Sequence, residues 1–317
     1  LILVLLCSLI LEGCWDVKEL DDLTVPLFAA IDKALESEKE YPEDKYLISL
    51  GIPIFYEEAA RKFHIVGTTG KMTGEARERR NSQLGEQVIL GQLQLLLIGE
   101  ELAKKEDVLA VTDIITRNPT VKASLYVVVI KGRAVDFIGK PIHDYPNIGI
   151  YLRSLLKSSK KTLFYPYTTI FDLNKFLLSY ETSALLPLIT YKDEHIVLAG
   201  SCLVNNGRIA EELGRYETET AVMLRGIKCQ GILSFEAFKD GEVIDKATFR
   251  GSNSRKVTVK REGDKYFFNI QIKLTGTIVE HKEQKPIQDG TNLIKVFQDS
   301  LEQHIKKRAE AFIKKTQ

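Results

Sequence analysis

The sequence predicts an α+β protein: three α/β-type domains, each a mostly antiparallel or mixed sheet covered by helices, behind an N-terminal lipoprotein signal. Three observations lead there. Unbroken apolar runs of strand length, such as Leu93–Gly99 and Leu125–Ile130, alternate with helical segments up to about residue 226, the pattern of a sheet buried beneath helices. From Gln230 the chain switches to strict apolar–polar alternation, which indicates an antiparallel meander with one wet face. A closing segment from about Thr291 to Lys315 places Leu293, Phe297, Leu301, Ile305, Ala309 and Phe312 three or four residues apart, a stripe suited to cover the meander's dry face.

The elements follow in order. Residues Leu1–Leu11, "LILVLLCSLIL", hold no charge; as helix they span about 16 Å, half a bilayer core. That length suits the apolar centre of a secretory signal. The basic start and initiator Met are missing, so the chain is read as beginning inside its own signal peptide. Leu11-Glu12-Gly13-Cys14 then resembles a bacterial lipobox with an acidic residue where a small or neutral one is usual. Cleavage before Cys14 would let its thiol carry a diacylglycerol, each buried CH₂ adding about 0.8 kcal/mol of membrane affinity. The competing reading is a buried N-terminal element with an incidental cysteine.

After a short polar segment, "TVPLFAAIDKA", "KYLISLGIPIF" and "FHIVGTTG" read as strands, and "TGEARERRNSQ" as a helix with Thr73 as its N-cap. "LQLLLIG" is a buried strand, "EELAKKEDVLAVTDIITRN" is helical up to Pro119, and "KASLYVVVIKG" returns as strand. The Pro/Gly-dense stretch Pro141–Gly149 marks a boundary. Beyond it come a helix at "IYLRSLLKSS", a second at "TTIFDLNKFLLSY", strands flanking an Asn205-Asn206-Gly207 turn suited to positive φ, and a helix at "ETETAVMLRG". The meander turns at Asp240-Gly241 and at Glu262-Gly263-Asp264. The resulting division is 1–13 signal peptide (truncated at its start), 14–145 N-terminal α/β domain, 146–226 middle α/β domain, and 227–317 antiparallel sheet plus long helix.

Composition narrows function. Lys and Arg number 44 against 43 Asp and Glu, a formal charge of +1, which argues against a nucleic-acid partner. Cys202 and Cys229 lie 27 residues apart with no C-x-x-C pattern; two buried free thiols are expected, a disulfide being the alternative, and the spacing does not favour a zinc site. "IVGTTGKMTG" is not a phosphate loop, since Ile65 stands where the first Gly belongs and Met72 where Ser or Thr would bind magnesium. The histidines His64, His143, His195, His281 and His304 are scattered, and the pairs Glu57-Glu58 and Glu211-Glu212 read as solvated edges. The basic residues of "IKKRAEAFIKK" read as a solvated helix face. No catalytic, cofactor or metal residue is assigned, and no enzyme activity is expected.

The chain resembles the spore germination lipoproteins, the C subunit of germinant receptors in endospore-forming bacteria. The likeness rests on Cys14-Trp15-Asp16 with Glu19-Leu20, on "LLLIGEELAKK" (Leu95–Lys105), on Arg117-Asn118-Pro119 ahead of a strand, and on "IVLAGSCLVNNGRIAEEL" (Ile196–Leu213) followed by Glu217-Thr218. The helix "EARERRNSQ" departs from it, with looser apolar spacing. The resemblance implies three α/β-type domains, a lipid anchor at Cys14 on the outer face of the spore inner membrane, and integral membrane A and B subunits as partners. It implies no cofactor and leaves contact with the germinant itself open. Trp15 is placed either at the membrane interface or against the first domain. An extracytoplasmic solute-binding lipoprotein of a transport system is the second class; it would show two like lobes. A cell-wall or lipid-modifying enzyme is the third, and would show a nucleophile or metal constellation.

Overall fold

The computed structural model describes residues 23–54, 63–140, 148–179, 183–282 and 292–316. Its strands are β1 (Leu23–Thr24), β2 (Phe28–Lys33), β3 (Tyr46–Pro53), β4 (Phe63–Gly70), β5 (Gln87–Val88), β6 (Leu95–Gly99), β7 (Tyr126–Ile130), β8 (Ala184–Lys192), β9 (His195–Asn205), β10 (Arg208–Leu213), β11 (Gln230–Lys239), β12 (Glu242–Glu262) and β13 (Lys265–His281). The described helices are α1 (Thr73–Gln83), α2 (Glu100–Lys105), α3 (Val108–Thr116), α4 (Ala134–Ile138), α5 (Ile148–Thr162), α6 (Ile170–Leu178), α7 (Arg215–Arg225) and α8 (Asn292–Thr316). The expected class, α+β with helix-covered sheets, is the one adopted.

Eight strands form one mixed sheet in the order β10-β9-β8-β7-β6-β2-β3-β4. Its centre is parallel, β2 to β6 to β7 to β8, and its flanks are antiparallel. The continuous apolar runs are explained by burial on both faces. Leu96 and Ile98 of β6 join Val127 and Val129 of β7 under Val111 and Ile115 of α3 and Leu173 of α6. The alternate residues Leu95, Leu97, Val128 and Ile130 pack instead against Phe137 of α4 and Leu152 and Leu156 of α5. Each such side chain stabilises the fold by about 1.5–3 kcal/mol. The expected boundary near residue 145 falls among residues outside the description. Strands from both sides of it share this sheet, Val129 and Ile130 of β7 lying beside Leu188 and Ile189 of β8.

Local chemistry sets the element ends. Thr169 and Asp172 form a reciprocal cap on α6, each accepting the other's backbone N–H. Asp107 caps α3 by accepting the Leu109 N–H at 2.9 Å. The predicted cap on α1 is corrected: Met72 holds the N-cap position and Thr73 is the first helical residue. Thr73 is turned inward, and Glu75 reaches back past the N-cap to accept the Lys71 N–H at 3.0 Å. The Asn206-Gly207 turn has φ of 48° and 78°, both positive as a two-residue hairpin turn requires.

The second body of structure is the three-stranded sheet β11-β12-β13 with α8. Leu233, Phe235 and Ala237 of β11 and Phe249 of β12 meet Phe297, Leu301 and Ile305 of α8 in one core, which also takes in Val222 and Met223 of α7 and Leu213 of β10. The apolar stripe of the closing helix is therefore seated as expected, but along the β11 side; it leaves much of β13 uncovered. Two basic residues expected on a solvated face are instead ion-paired, with α7 and, through Glu211 of β10, with the large sheet. Arg308 donates to Glu219 at 2.9 Å, and Lys315 sits 2.8 Å from both Glu211 and Glu217. Glu212 is likewise paired with Lys104, so the Glu211-Glu212 pair is a contact edge rather than a solvated one.

Candidate functional site

The feature with the chemistry of a contact surface is the hairpin of β12 and β13. Strand lengths create it: β11 pairs with β12 only as far as Ser252, while β12 continues to Glu262 and stays paired with β13 throughout. The base is braced. The Asn253 carboxamide accepts the Cys229 N–H at 3.1 Å and donates to the Ile227 carbonyl at 3.0 Å, and Arg255 donates to the Leu224 carbonyl at 2.7 Å. From Lys256 to the turn at Glu262 a two-stranded ribbon projects, about 3.4 Å per residue or some 24 Å in all.

This ribbon is amphipathic. Val257 lies opposite Ile270 and Val259 opposite Phe268, and directly opposed residues share a face. Val259 is 53 % exposed and Phe268 67 %. The face continues inward through Ile272 and Leu274 to a groove of about 1380 Å³ walled on its other side by Ile294, Ala309 and Ile313 of α8. The opposite face carries Lys256, Thr258 and Lys260 of β12 against Gln271, Asn269 and Phe267 of β13. Lys256, Lys260, Arg261 and Lys265 outnumber Glu262 and Asp264 along the ribbon, and cations on an open edge discourage unspecific strand pairing. An apolar stripe left open on a rigid, charged ribbon is the character of a protein or membrane contact surface.

The sequence-predicted residues stand as follows. Cys14, Trp15, Glu57-Glu58 and His143 lie outside the described residues. Cys202 and Cys229 are both free and buried, and burial pushes their thiols up to about 12 and about 11. His281, expected to be an isolated turn residue, instead places Nδ1 3.2 Å from Asp245 Oδ2. Burial opposes the Asp245 charge, but N–H groups of Lys282 and Lys246 and the His281 ring hold the carboxyl below its usual range. The His281 ring lies 5.8 Å from that of Phe297, so the pair closes the end of the α8 core. Among the described residues no cluster of three or more His, Cys, Asp or Glu could hold a metal ion, and no described helix is long and apolar enough to cross a membrane. The ribbon itself escaped sequence reading, which took the whole meander face to be covered by α8. The available signal was the spacing of turns: 21 residues in β12 against 10 in β11 leave half of the longer strand without a third partner.

Comparison with known proteins bears on both sheets. Residues 16–191 match the family model described as spore germination protein N-terminal domain, and residues 199–317 match spore germination B3/GerAC like, C-terminal. Spore germination protein GerQC of Bacillus cereus is 23% identical over 316 residues, 99% of this chain and 85% of that protein. YfkR of Bacillus subtilis (strain 168), whose name assigns it provisionally to spore germination, is 25% identical over 152 residues. That match covers 44% of this chain and only 37% of YfkR. Among solved structures, the crystal structure of the GerBC protein aligns over 89% of this chain and 81% of its own, with a TM-score of 0.49 and 16% identity.

Proposed function

Because the chain belongs to the spore germination family defined by these two GerAC-type domains, we propose that it is the C-type subunit of a nutrient germinant receptor. In this reading it is held on the outer face of the spore inner membrane by diacylated Cys14 and works through contacts with the integral membrane A and B subunits. The observation that carries the contact role is the open apolar face Val257-Val259-Phe268-Ile270 on the projecting ribbon. Docking a protein surface there removes apolar area from water at about 25 cal/mol per Å² and engages no group already used by the fold. The two sheets are unlike one another, eight mixed strands against three antiparallel ones, which disfavours the two-lobed solute-capture alternative.

The test uses Phe268→Asp combined with Ile270→Asp in the full chain expressed in spores. The thermal stability of the purified variant should match the parent, while co-purification with the membrane subunits and nutrient-triggered germination fall together. Undiminished co-purification would remove the ribbon from the account. Anchoring is tested separately: Cys14→Ala should release the protein from the membrane fraction or leave an unprocessed precursor. Unchanged fractionation and mature mass would contradict it.

A further inference from the structure

Helix α5 divides its residues sharply between two sides. Ile148, Leu152 and Leu156 are buried against the large sheet, and the outward side carries Arg153, Lys157 and Lys161, all exposed. Their spacing of four places them in one row about 12 Å long, with Ser154 and Ser158, also exposed, beside it. Lys160 flanks the row and is turned over the Tyr167 ring, its Nζ 4.0 Å from the centroid. Among the described residues nothing pairs with Arg153, Lys157 or Lys161.

Acidic residues are missing around this row. No Asp or Glu occurs from residue 145 to residue 171, and α5 is the only described α-helix without one. Elsewhere the cations are matched: Lys104 by Glu100, Arg117 by Asp113, Arg133 by Glu38, and Lys315 by Glu211 and Glu217. On α8, Lys306, Lys307 and Lys314 share the helix with Asp299, Glu302 and Glu310. The formal charge of the whole chain is only +1, so the positive field at α5 is local. Like charges four residues apart destabilise a helix, so the row costs the fold rather than serving it.

We propose that the outward face of α5 lies on anionic phospholipid headgroups. Lipid phosphates supply the counter-charges that Arg153, Lys157 and Lys161 lack, and the hydroxyls of Ser154 and Ser158 donate to headgroup oxygens. The inference rests on the membrane location proposed above and adds to it. A diacylglycerol on Cys14 holds the protein to the bilayer, and the basic row fixes which side of the folded body faces it. The tether is short: Leu23, where the described chain begins, is nine residues after Cys14, at most about 32 Å of chain. Leu27 packs on the same core cluster that α5 covers. An acidic protein surface would offer the same charge, but the exposed positions from Arg153 to Lys161 hold no apolar residue, and a protein interface is built around an apolar core.

The experiment measures partition of the full chain carrying Cys14→Ala, which removes the acyl anchor, onto vesicles of equimolar phosphatidylglycerol and phosphatidylcholine and onto phosphatidylcholine alone. The apolar leader acts on both, so the ratio of the two partition coefficients isolates the effect of charge. Each basic residue at an anionic surface is worth roughly fivefold; three predict a ratio on the order of a hundredfold in about 0.1 M salt, falling toward parity in about 1 M salt. Arg153→Gln, Lys157→Gln and Lys161→Gln together should cut the ratio at least about tenfold with an unchanged melting temperature, and Lys157→Arg with Lys161→Arg should keep it. Ser154→Asp with Ser158→Asp retains all three cations and should also cut it at least about tenfold, which covers a triple variant that fails to fold. Lys306→Gln, Lys307→Gln and Lys314→Gln on α8 remove as much charge and should leave the ratio within about threefold of the parent. A parent ratio below about threefold, as an acidic protein partner would give, a triple variant that keeps the parent ratio, or an equal loss in the α8 variant would overturn the proposal. Because no acyl chain and no receptor subunit takes part, this result and the spore-membrane release of Cys14→Ala can fail independently.

Discussion

Phe297→Ala tests how the C-terminal sheet is held. Phe297 is 2 % exposed and stands edge-on to Phe235 of β11, ring centroids 6.3 Å apart at 90°, with the His281 ring 5.8 Å away. Truncating a buried Phe costs about 3–5 kcal/mol, of which an edge-to-face pair accounts for about 0.5–1.5 kcal/mol. A cooperative unit of this size loses about 2–4 °C of Tm per kcal/mol, so the variant should melt on the order of 6–20 °C lower. Phe268, also aromatic and on β13 of the same sheet, is 67 % exposed, and Phe268→Ala should stay within about 0.5 kcal/mol of the parent. Thermal unfolding followed by far-ultraviolet circular dichroism reads both. A Phe297→Ala shift under about 2 °C, or equal losses in the two variants, would refute the division between a structural stripe on α8 and a contact face on β13.

Two further outcomes follow from buried titratable groups. Burial pushes the Asp32 carboxyl up to about 6, against the pull of N–H bonds from Ala134 and Val135 at the start of α4. The folded chain then keeps a proton that the unfolded chain has released between its ordinary value of 3.8 and about 6, so this group's contribution is full below pH 3.8 and lost as pH rises through 6. In urea denaturation the stability of the parent minus that of Asp32→Asn should fall by roughly 2 kcal/mol between pH 4 and 7; a difference that grows with pH contradicts the sign. For Cys202 and Cys229, thiols raised to about 12 and about 11 by burial should resist iodoacetamide in the native protein and react on unfolding in guanidinium. Rapid native labelling of either would show that its burial is not maintained.

Much of this fold is legible in the sequence because its signals are local. Period-two alternation after Gln230, the Asn206-Gly207 turn and the uncharged runs of β6 and β7 each depend on a few adjacent residues. Strand order does not: nothing in "LYVVVI" says that its partners will be β6 on one side and β8 on the other, so strands either side of residue 145 could not be seen to join. Pairing at a distance is the second gap. Glu211, Glu217 and Lys315 are solvated surface residues by any local criterion, and only the packing of α8 brings them together. Arg80, buried on the inward side of α1, is the third, since hydrophobic periodicity places apolar residues inside and is blind to a cation that takes one of their positions.

The central claim is that the ribbon of β12 and β13 is where this subunit meets its membrane partners. A photo-crosslinking residue placed at position 268 in dormant spores measures that contact directly, with the crosslinked proteins identified by mass spectrometry. Position 216, where Tyr216 is 71 % exposed on α7, serves as the comparison. The account predicts adducts from position 268 to the two multi-span receptor subunits and few or none from position 216. Adducts from position 268 to neither subunit, or equal yields from both positions, would contradict it.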